Sequence, residues 1–303
     1  MDRRAFLGLS LATLAASRLV RAGIVAGNPD AGAPLSQDLE IRDLHVDGDR
    51  AIARRFVMCV PKHLAPGERV PLLVLLHGLA ETVDERLGAF AWLEKYGLGT
   101  AYDRLRRAPV LRTSTRGDFT STRLTEVNAS LAAQPFRGLA IACPFTPNVN
   151  KAANTNTAID GFTRWIEDVL LPRARAEAPV IADAAHTSID GCSLGGWIGL
   201  EVFLRRPRLF GAWGGVQSAI SVGSAPSYAD RIAQAIATTG PRPLHIESSS
   251  QDPFRAANEA LAAALNKKAI AHELRVPPGP HDQPWLREAG TIEMLLWHDQ
   301  LTR

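Results

Sequence analysis

Ten residues, Ser188-Ile189-Asp190-Gly191-Cys192-Ser193-Leu194-Gly195-Gly196-Trp197, constrain this chain more than any other stretch. A short strand-like run ends in Gly-x-Ser-x-Gly and passes directly into apolar residues at helical spacing, Trp197, Ile198, Leu200, Phe203 and Leu204. So sharp a turn from strand to helix strains the residue at its corner, and glycines at 191 and 195 remove side chains that would collide there. The Ser193 hydroxyl is thereby lifted into the open, with the free N–H groups of a helix N-terminus pointing at it. Gly-x-Ser-x-Gly also arises by chance, so its surroundings have to decide what it is.

Those surroundings alternate between strands and helices. Two strand-like runs, 39–46 and 52–60, flank Asp47-Gly48, a strong hairpin signal, and predict an antiparallel sheet edge. The near-continuous apolar run Leu72-Leu73-Val74-Leu75-Leu76 fits a strand covered on both faces, as does Leu139 to Cys143 before Pro144. A helical pattern covers 87–105, and Ile159, Phe162, Ile166, Val169 and Leu170 mark an amphipathic helix. Between them, the Arg, Ser and Thr-rich stretch 106–123 reads either as a cover over a site or as solvated surface. After the Ser193 turn the order continues strand 212–217, helix 228–237, strand 244–248, helix 253–268, strand 271–276 and helix 285–301. This alternation predicts a mostly parallel, doubly wound α/β sheet with helices on both faces, in one domain from residue 37 onward.

A serine becomes a useful nucleophile when an imidazole accepts its proton and a carboxylate holds that imidazole in the right tautomer. On a parallel sheet the groups that do this stand on loops at the carboxyl ends of strands. Asp252 follows the strand 244–248, and His281 follows the strand ending at Val276, in Pro277-Pro278-Gly279-Pro280-His281-Asp282. Asp252-Pro253 also reads as a helix N-cap followed by proline at the first helical position, so two roles compete for Asp252. Glu247 and Asp230 are weaker substitutes, within a strand and at a helix start. His272 and His298 sit inside regular elements, where a structural histidine is the ordinary outcome. An oxyanion needs two N–H donors, and Leu194, after the serine, and Leu79, after His77-Gly78, stand in the two places that supply them. His77 reads as a structural histidine orienting that loop.

The set Leu76-His77-Gly78, Trp165 to Leu171-Pro172, Asp190 to Gly196, Pro207 to Phe210, Asp252 and Gly279-Pro280-His281-Asp282 resembles the esterase D-like family of α/β-hydrolases over roughly residues 50–300. The resemblance implies the α/β-hydrolase fold and a serine acyl hydrolase acting on carboxylic esters without metal or cofactor. By position it implies a catalytic triad of Ser193, Asp252 and His281, with Leu79 and Leu194 as oxyanion donors. Trp285, four residues after His281, resembles an aromatic common at that place in the family and offers a wall for the acyl pocket, with core packing as the equal alternative. The chain departs from the family pattern at Ser250, where glycine is usual, and at Pro280, which interrupts a Gly-His pair. Acyl transfer to an alcohol through the same acyl-enzyme, or ligand binding without catalysis, are the competing readings of the fold.

The N-terminus carries a separate message. Arg3-Arg4 followed by Phe6-Leu7 and an apolar run to Val20 resembles the twin-arginine signals of bacteria, which route folded proteins across a membrane. The run is too short and too Ala-rich for a comfortable span, and cleavage after Ala22, or after Ala26, leaves a linker over 23–36. The expectation is a periplasmic or extracellular protein with no stable membrane insertion once the signal is gone. Four arginines and one aspartate in residues 1–22 account for the whole net charge of +3. The remainder is balanced, which gives no support for a nucleic-acid partner; a small-molecule or carbohydrate-linked ester as substrate is what the resemblance implies. Cys59, Cys143 and Cys192 lie in apolar runs without metal-ligand spacing and read as buried thiols, one disulfide with a thiol left over being the alternative.

Overall fold

In a computed structural model, residues 35–49 and 51–301 are described. The expected signal peptide and most of the expected linker lie outside the described residues. At the end of that linker Ser36 is already part of the fold, its buried hydroxyl donating to Asp103 Oδ1 at 2.6 Å.

Among the described residues eight strands form one sheet: β1 (Leu39–His45), β2 (Arg55–Pro61), β3 (Leu72–Leu76), β4 (Ala140–Pro144), β5 (Thr187–Gly191), β6 (Ala212–Val216), β7 (Leu244–Glu247) and β8 (Glu273–Arg275). Their order across the sheet is β1-β2-β4-β3-β5-β6-β7-β8. The β1–β2 hairpin and the β2–β4 pair are antiparallel, and every pairing from β4 to β8 is parallel. The expected hairpin thus forms the antiparallel edge, closed by an Asp43–Arg55 ion pair.

Strands covered on both faces need two cores, and the sidedness of β3 divides them. Leu72, Val74 and Leu76 point into one, while Leu73 and Leu75 point into the other. The first core is roofed by helices α3 (Thr155–Trp165), α4 (Leu194–Arg205), α5 (Ala225–Thr239) and α6 (Arg255–Lys267). The second is roofed by α1 (Leu98–Arg106), α2 (Ser121–Ala133) and α7 (Thr291–Gln300). Each fully buried leucine contributes about 1.5–3 kcal/mol of transfer free energy.

The helices differ from expectation where backbone chemistry interrupts the pattern. The single helix expected over 87–105 is three, Glu85–Ala89, Ala91–Glu94 and α1: the first two part at Phe90 (φ −92°, ψ 0°), and Gly97 turns left-handed (φ 74°) before α1. A Cβ there would lie 2.9 Å from Arg287 Cγ, so the turn also admits a close neighbour. Helix α3 continues through a π turn at Ile166–Leu170 into Leu171–Glu177, widening just before Pro172, which has no N–H to give the regular ladder. The last helical stretch likewise runs from Gln283 through a π turn at Leu286–Gly290 into α7.

From β3 the chain moves outward to β4, returns past β3 to β5, and then proceeds the other way to β8. Loops leaving the carboxyl ends of β3 and β5 therefore part in opposite directions and leave a crevice between them. The Leu79 loop follows β3, and Ser193 follows β5.

Candidate active site

Ser193 has φ 54° and ψ −116°, a conformation outside the ordinary regions for a residue with a side chain. Both sides of its peptide are held: its N–H donates to Val216 O at 2.9 Å, and its carbonyl accepts from Ala219 N at 2.9 Å. Glycine is obligatory on either side. A Cβ on Gly191 would lie 2.6 Å from Gly195 C, and one on Gly195 would lie 2.4 Å from Leu76 O. The elbow is pressed directly against the β3 backbone, which is how α4 comes to start at the crevice. Ser193 itself is half-buried and caps α4 without a side-chain hydrogen bond, so its hydroxyl is uncommitted to the helix.

Of the two roles competing for Asp252, the cap is not the one it takes: α6 starts at Arg255, with Phe254 at its N-cap and no side-chain cap bond, so Pro253 lies before the helix and Asp252 before that. Its Oδ1 accepts from Phe254 N at 3.0 Å, a local turn bond, and lies 2.8 Å from His281 Nδ1. Its Oδ2 accepts from the buried Ser248 hydroxyl at 2.6 Å. The Asp252 side chain is 0% exposed and that of His281 is 26% exposed, so the carboxylate is sequestered while the ring stays partly open to solvent. The Phe254 ring stands edge-on to His281 with centroids 5.6 Å apart. Among the described residues no hydrogen bond joins Ser193 Oγ to His281 Nε2. Such contacts tighten when substrate is bound.

Both departures from the family pattern are used to sew the loops together. The Ser250 hydroxyl accepts from Gly279 N at 3.1 Å, beside backbone bonds from Ser250 N to Pro277 O and from Gln251 N to Gly279 O. The Pro280 carbonyl accepts from the Ser249 hydroxyl at 3.2 Å. Gly279 has φ 126°, and a Cβ there would lie 2.3 Å from Trp285 Cδ1. Trp285 is fully buried, its indole N–H donating to Pro278 O at 2.9 Å. The structure places it beneath the His281 loop as packing, away from the crevice surface.

On the other side, the expected oxyanion donors Leu79 and Leu194 present N–H groups with no acceptor among the described residues. The Leu79 side chain is exposed and that of Leu194 is buried. Behind Leu79, His77 is fully buried, with Nδ1 2.9 Å from Gly78 O and Nε2 accepting from Thr146 N at 2.8 Å. Burial lowers its pKa from 6.5 to about 4, so at neutral pH it is an uncharged brace for the loop. Glu81 adds a second brace: it accepts from the Tyr96 hydroxyl, which itself accepts from Gly78 N at 3.3 Å, and from Gln283 Nε2 at 3.2 Å. His298, a rival in sequence, is buried against Asp190 (Nε2 to Oδ2, 2.9 Å), under the elbow strand.

Sequence reasoning missed Arg116. In the stretch read as either cover or surface, Arg116 Nε donates to Asp118 at 2.6 Å, and its two terminal nitrogens reach both oxygens of Asp282 at 3.0 and 3.2 Å. Thr113, nearby, bonds the buried Glu288 through its N–H and its hydroxyl. The segment is pinned against the loop that carries His281. The only available signal was the abundance of arginine, which does not identify a partner 166 positions away.

No family model matches the chain, and no curated protein does. Solved structures do. A ferulic acid esterase superposes with a TM-score of 0.62 at 17% identity, covering 87% of this chain and 98% of its own. A fluorophosphonate-binding serine hydrolase of Staphylococcus aureus gives 0.59 at 12% identity, over 86% of this chain and 98% of its own. An S-formylglutathione hydrolase from Staphylococcus aureus gives 0.55 at 11% identity, over 88% of this chain and 100% of its own. At such identities the likeness is one of fold, and it agrees with the strand order: this chain has the α/β-hydrolase fold.

Proposed function

We propose that this chain is a serine esterase that hydrolyses carboxylic esters through an acyl-enzyme, with Ser193 as nucleophile, His281 as base and Asp252 as the orienting acid. The observation that carries the reading is the 2.8 Å contact between buried Asp252 and half-exposed His281, on loops that converge beside a strained serine. The similar folds bear names of enzymes of this kind, a ferulic acid esterase and a fluorophosphonate-binding serine hydrolase, which supports it.

In this reading Ser193 Oγ bonds to the ester carbonyl carbon as its proton passes to His281 Nε2, and the carbonyl oxygen gains negative charge. Leu79 N–H and Leu194 N–H stabilise that oxyanion, and the N-terminus of α4 adds its dipole. Collapse breaks the bond to the alcohol oxygen, which takes the proton from Nε2. Water then attacks the acyl-Ser193 ester by the same route and releases the acid. Asp252 keeps the Nδ1 proton in place, which leaves Nε2 free to accept. The residues 1–22 support export by the twin-arginine route as the setting for this activity.

Ser193→Ala tests the reading. Hydrolysis of a p-nitrophenyl ester falls by about 10^6, on the scale of triad serine removal in other serine hydrolases, and labelling by a fluorophosphonate is lost. Retention of both overturns the assignment.

A further inference from the structure

Gln217, immediately after β6, has no assigned role, yet it has φ 51° and is buried to 1% exposure. A left-handed conformation suits glycine or asparagine, so a buried glutamine there is an outlier that asks for a reason. Its neighbours supply one. On its N-terminal side Val216 O accepts the Ser193 N–H at 2.9 Å, and two residues onward Ala219 N donates to Ser193 O at 2.9 Å, so the segment 216–219 clasps the Ser193 peptide from both ends. The Gln217 N–H donates to Glu247 O at the end of β7, the strand that leads into the acid's loop.

The side chain completes the link. Gln217 Nε2 donates to Ser249 Oγ at 2.7 Å and to Pro280 O at 3.1 Å. Ser249 Oγ in turn donates to Pro280 O at 3.2 Å. A backbone carbonyl only accepts, so the amide must present its NH2 to Pro280, and the hydroxyl, having spent its proton on the same carbonyl, accepts from that NH2. Ser249 lies three residues before Asp252, and the Pro280 carbonyl belongs to the peptide bond that leads into His281.

We infer that Gln217 is a positioning residue for the triad proposed above: one side chain, on a segment fixed to the Ser193 peptide through Val216 O and Ala219 N, sets the acid's loop and the histidine's loop at one distance from the nucleophile. The left-handed backbone directs the amide to the loops that follow β7 and β8. Gln217 touches no reacting atom, so its removal changes the chemical step rather than substrate affinity.

The experiment compares Gln217→Met, which keeps length and loses the donor, with Gln217→Gly, which also frees the backbone. Both are assayed per active site, titrated with a fluorophosphonate, alongside thermal midpoints. Misplacement on the scale of 1 Å predicts a loss in kcat of about 10- to 100-fold in both variants with KM within about twofold, although their midpoints differ. A Gln217→Met kcat within about threefold of the parent overturns the inference, as does a loss confined to KM or one that follows the midpoint across the two variants. Ser193→Ala separates the two levels. Hydrolysis that survives Ser193→Ala removes the functional reading and this inference with it, whereas Ser193-dependent hydrolysis undiminished in Gln217→Met removes the inference alone.

Discussion

Comparing Ser193→Gly with Ser193→Ala measures the strain held at the elbow. Both variants lack the hydroxyl, so activity does not enter, and Ser193 makes no side-chain cap bond to α4, so no cap is lost in either. Alanine keeps the Cβ that makes φ 54° with ψ −116° costly; glycine removes it. A residue in such a region costs about 1–3 kcal/mol. Against this, glycine loses about 0.5–1 kcal/mol more than alanine in ordering the backbone. The expected difference is about 1 kcal/mol in favour of Ser193→Gly. For a domain of this size that corresponds to a midpoint about 2–4 °C higher. Urea unfolding of the two proteins at one pH, with equal slopes, gives the number directly. If Ser193→Gly is the less stable by about 0.5 kcal/mol or more, it behaves as an ordinary glycine substitution, and the elbow holds no such strain.

Two further outcomes test the charged groups around the site. Glu247 is fully buried with neither carboxylate oxygen hydrogen-bonded, and burial, reinforced by Glu293 and Asp190, pushes its pKa well above the usual carboxylate range. A folded pKa above the unfolded value gives stability that is complete below the unfolded pKa and lost as pH rises through the folded one. Glu247→Gln should therefore gain on the parent as pH is raised from 4 towards 9; denaturant midpoints that keep a constant difference contradict this. Arg116→Ala leaves Asp118 and Asp282 without their cation beside His281. The segment is then no longer tied to the loop that carries His281, so kcat/KM should fall by about 10-fold through misplacement of that loop. A kcat/KM within about twofold of the parent shows that Arg116 holds the segment without positioning the His281 loop.

What could be read along the chain was whatever short-range sterics enforce. Gly191 and Gly195 announce a backbone that Leu76 O approaches too closely for a side chain, and the run Leu72 to Leu76 announces a strand with a core on each side. The order serine, acid, histidine was legible because parallel strands put their carboxyl-end loops on one edge whatever the loops contain. Helix continuity was less legible, since Gly97 and the π turns depend on what packs against them. The same holds for Trp285, whose indole is captured by Pro278 O and by the space above Gly279.

Asp252 marks the boundary between the two kinds of information. Its sequence neighbours, Pro253 and Phe254, suggested a helix cap, but the helix begins only at Arg255 and what Asp252 makes locally is a turn bond to Phe254 N. The second bond on the same oxygen crosses 29 positions to His281, and it exists because β7 and β8 are adjacent and their loops are sewn by Ser250, Gln251 and Gly279. Gln217 and Arg116 belong to this second kind, since each gains its meaning from a partner brought near by the sheet. Chain order and backbone sterics decided which groups stand at the crevice. Only the converged loops decided that the carboxylate expected to cap a helix instead makes a local turn bond and holds a histidine, because a hydrogen bond between distant residues depends on distances the linear pattern does not contain.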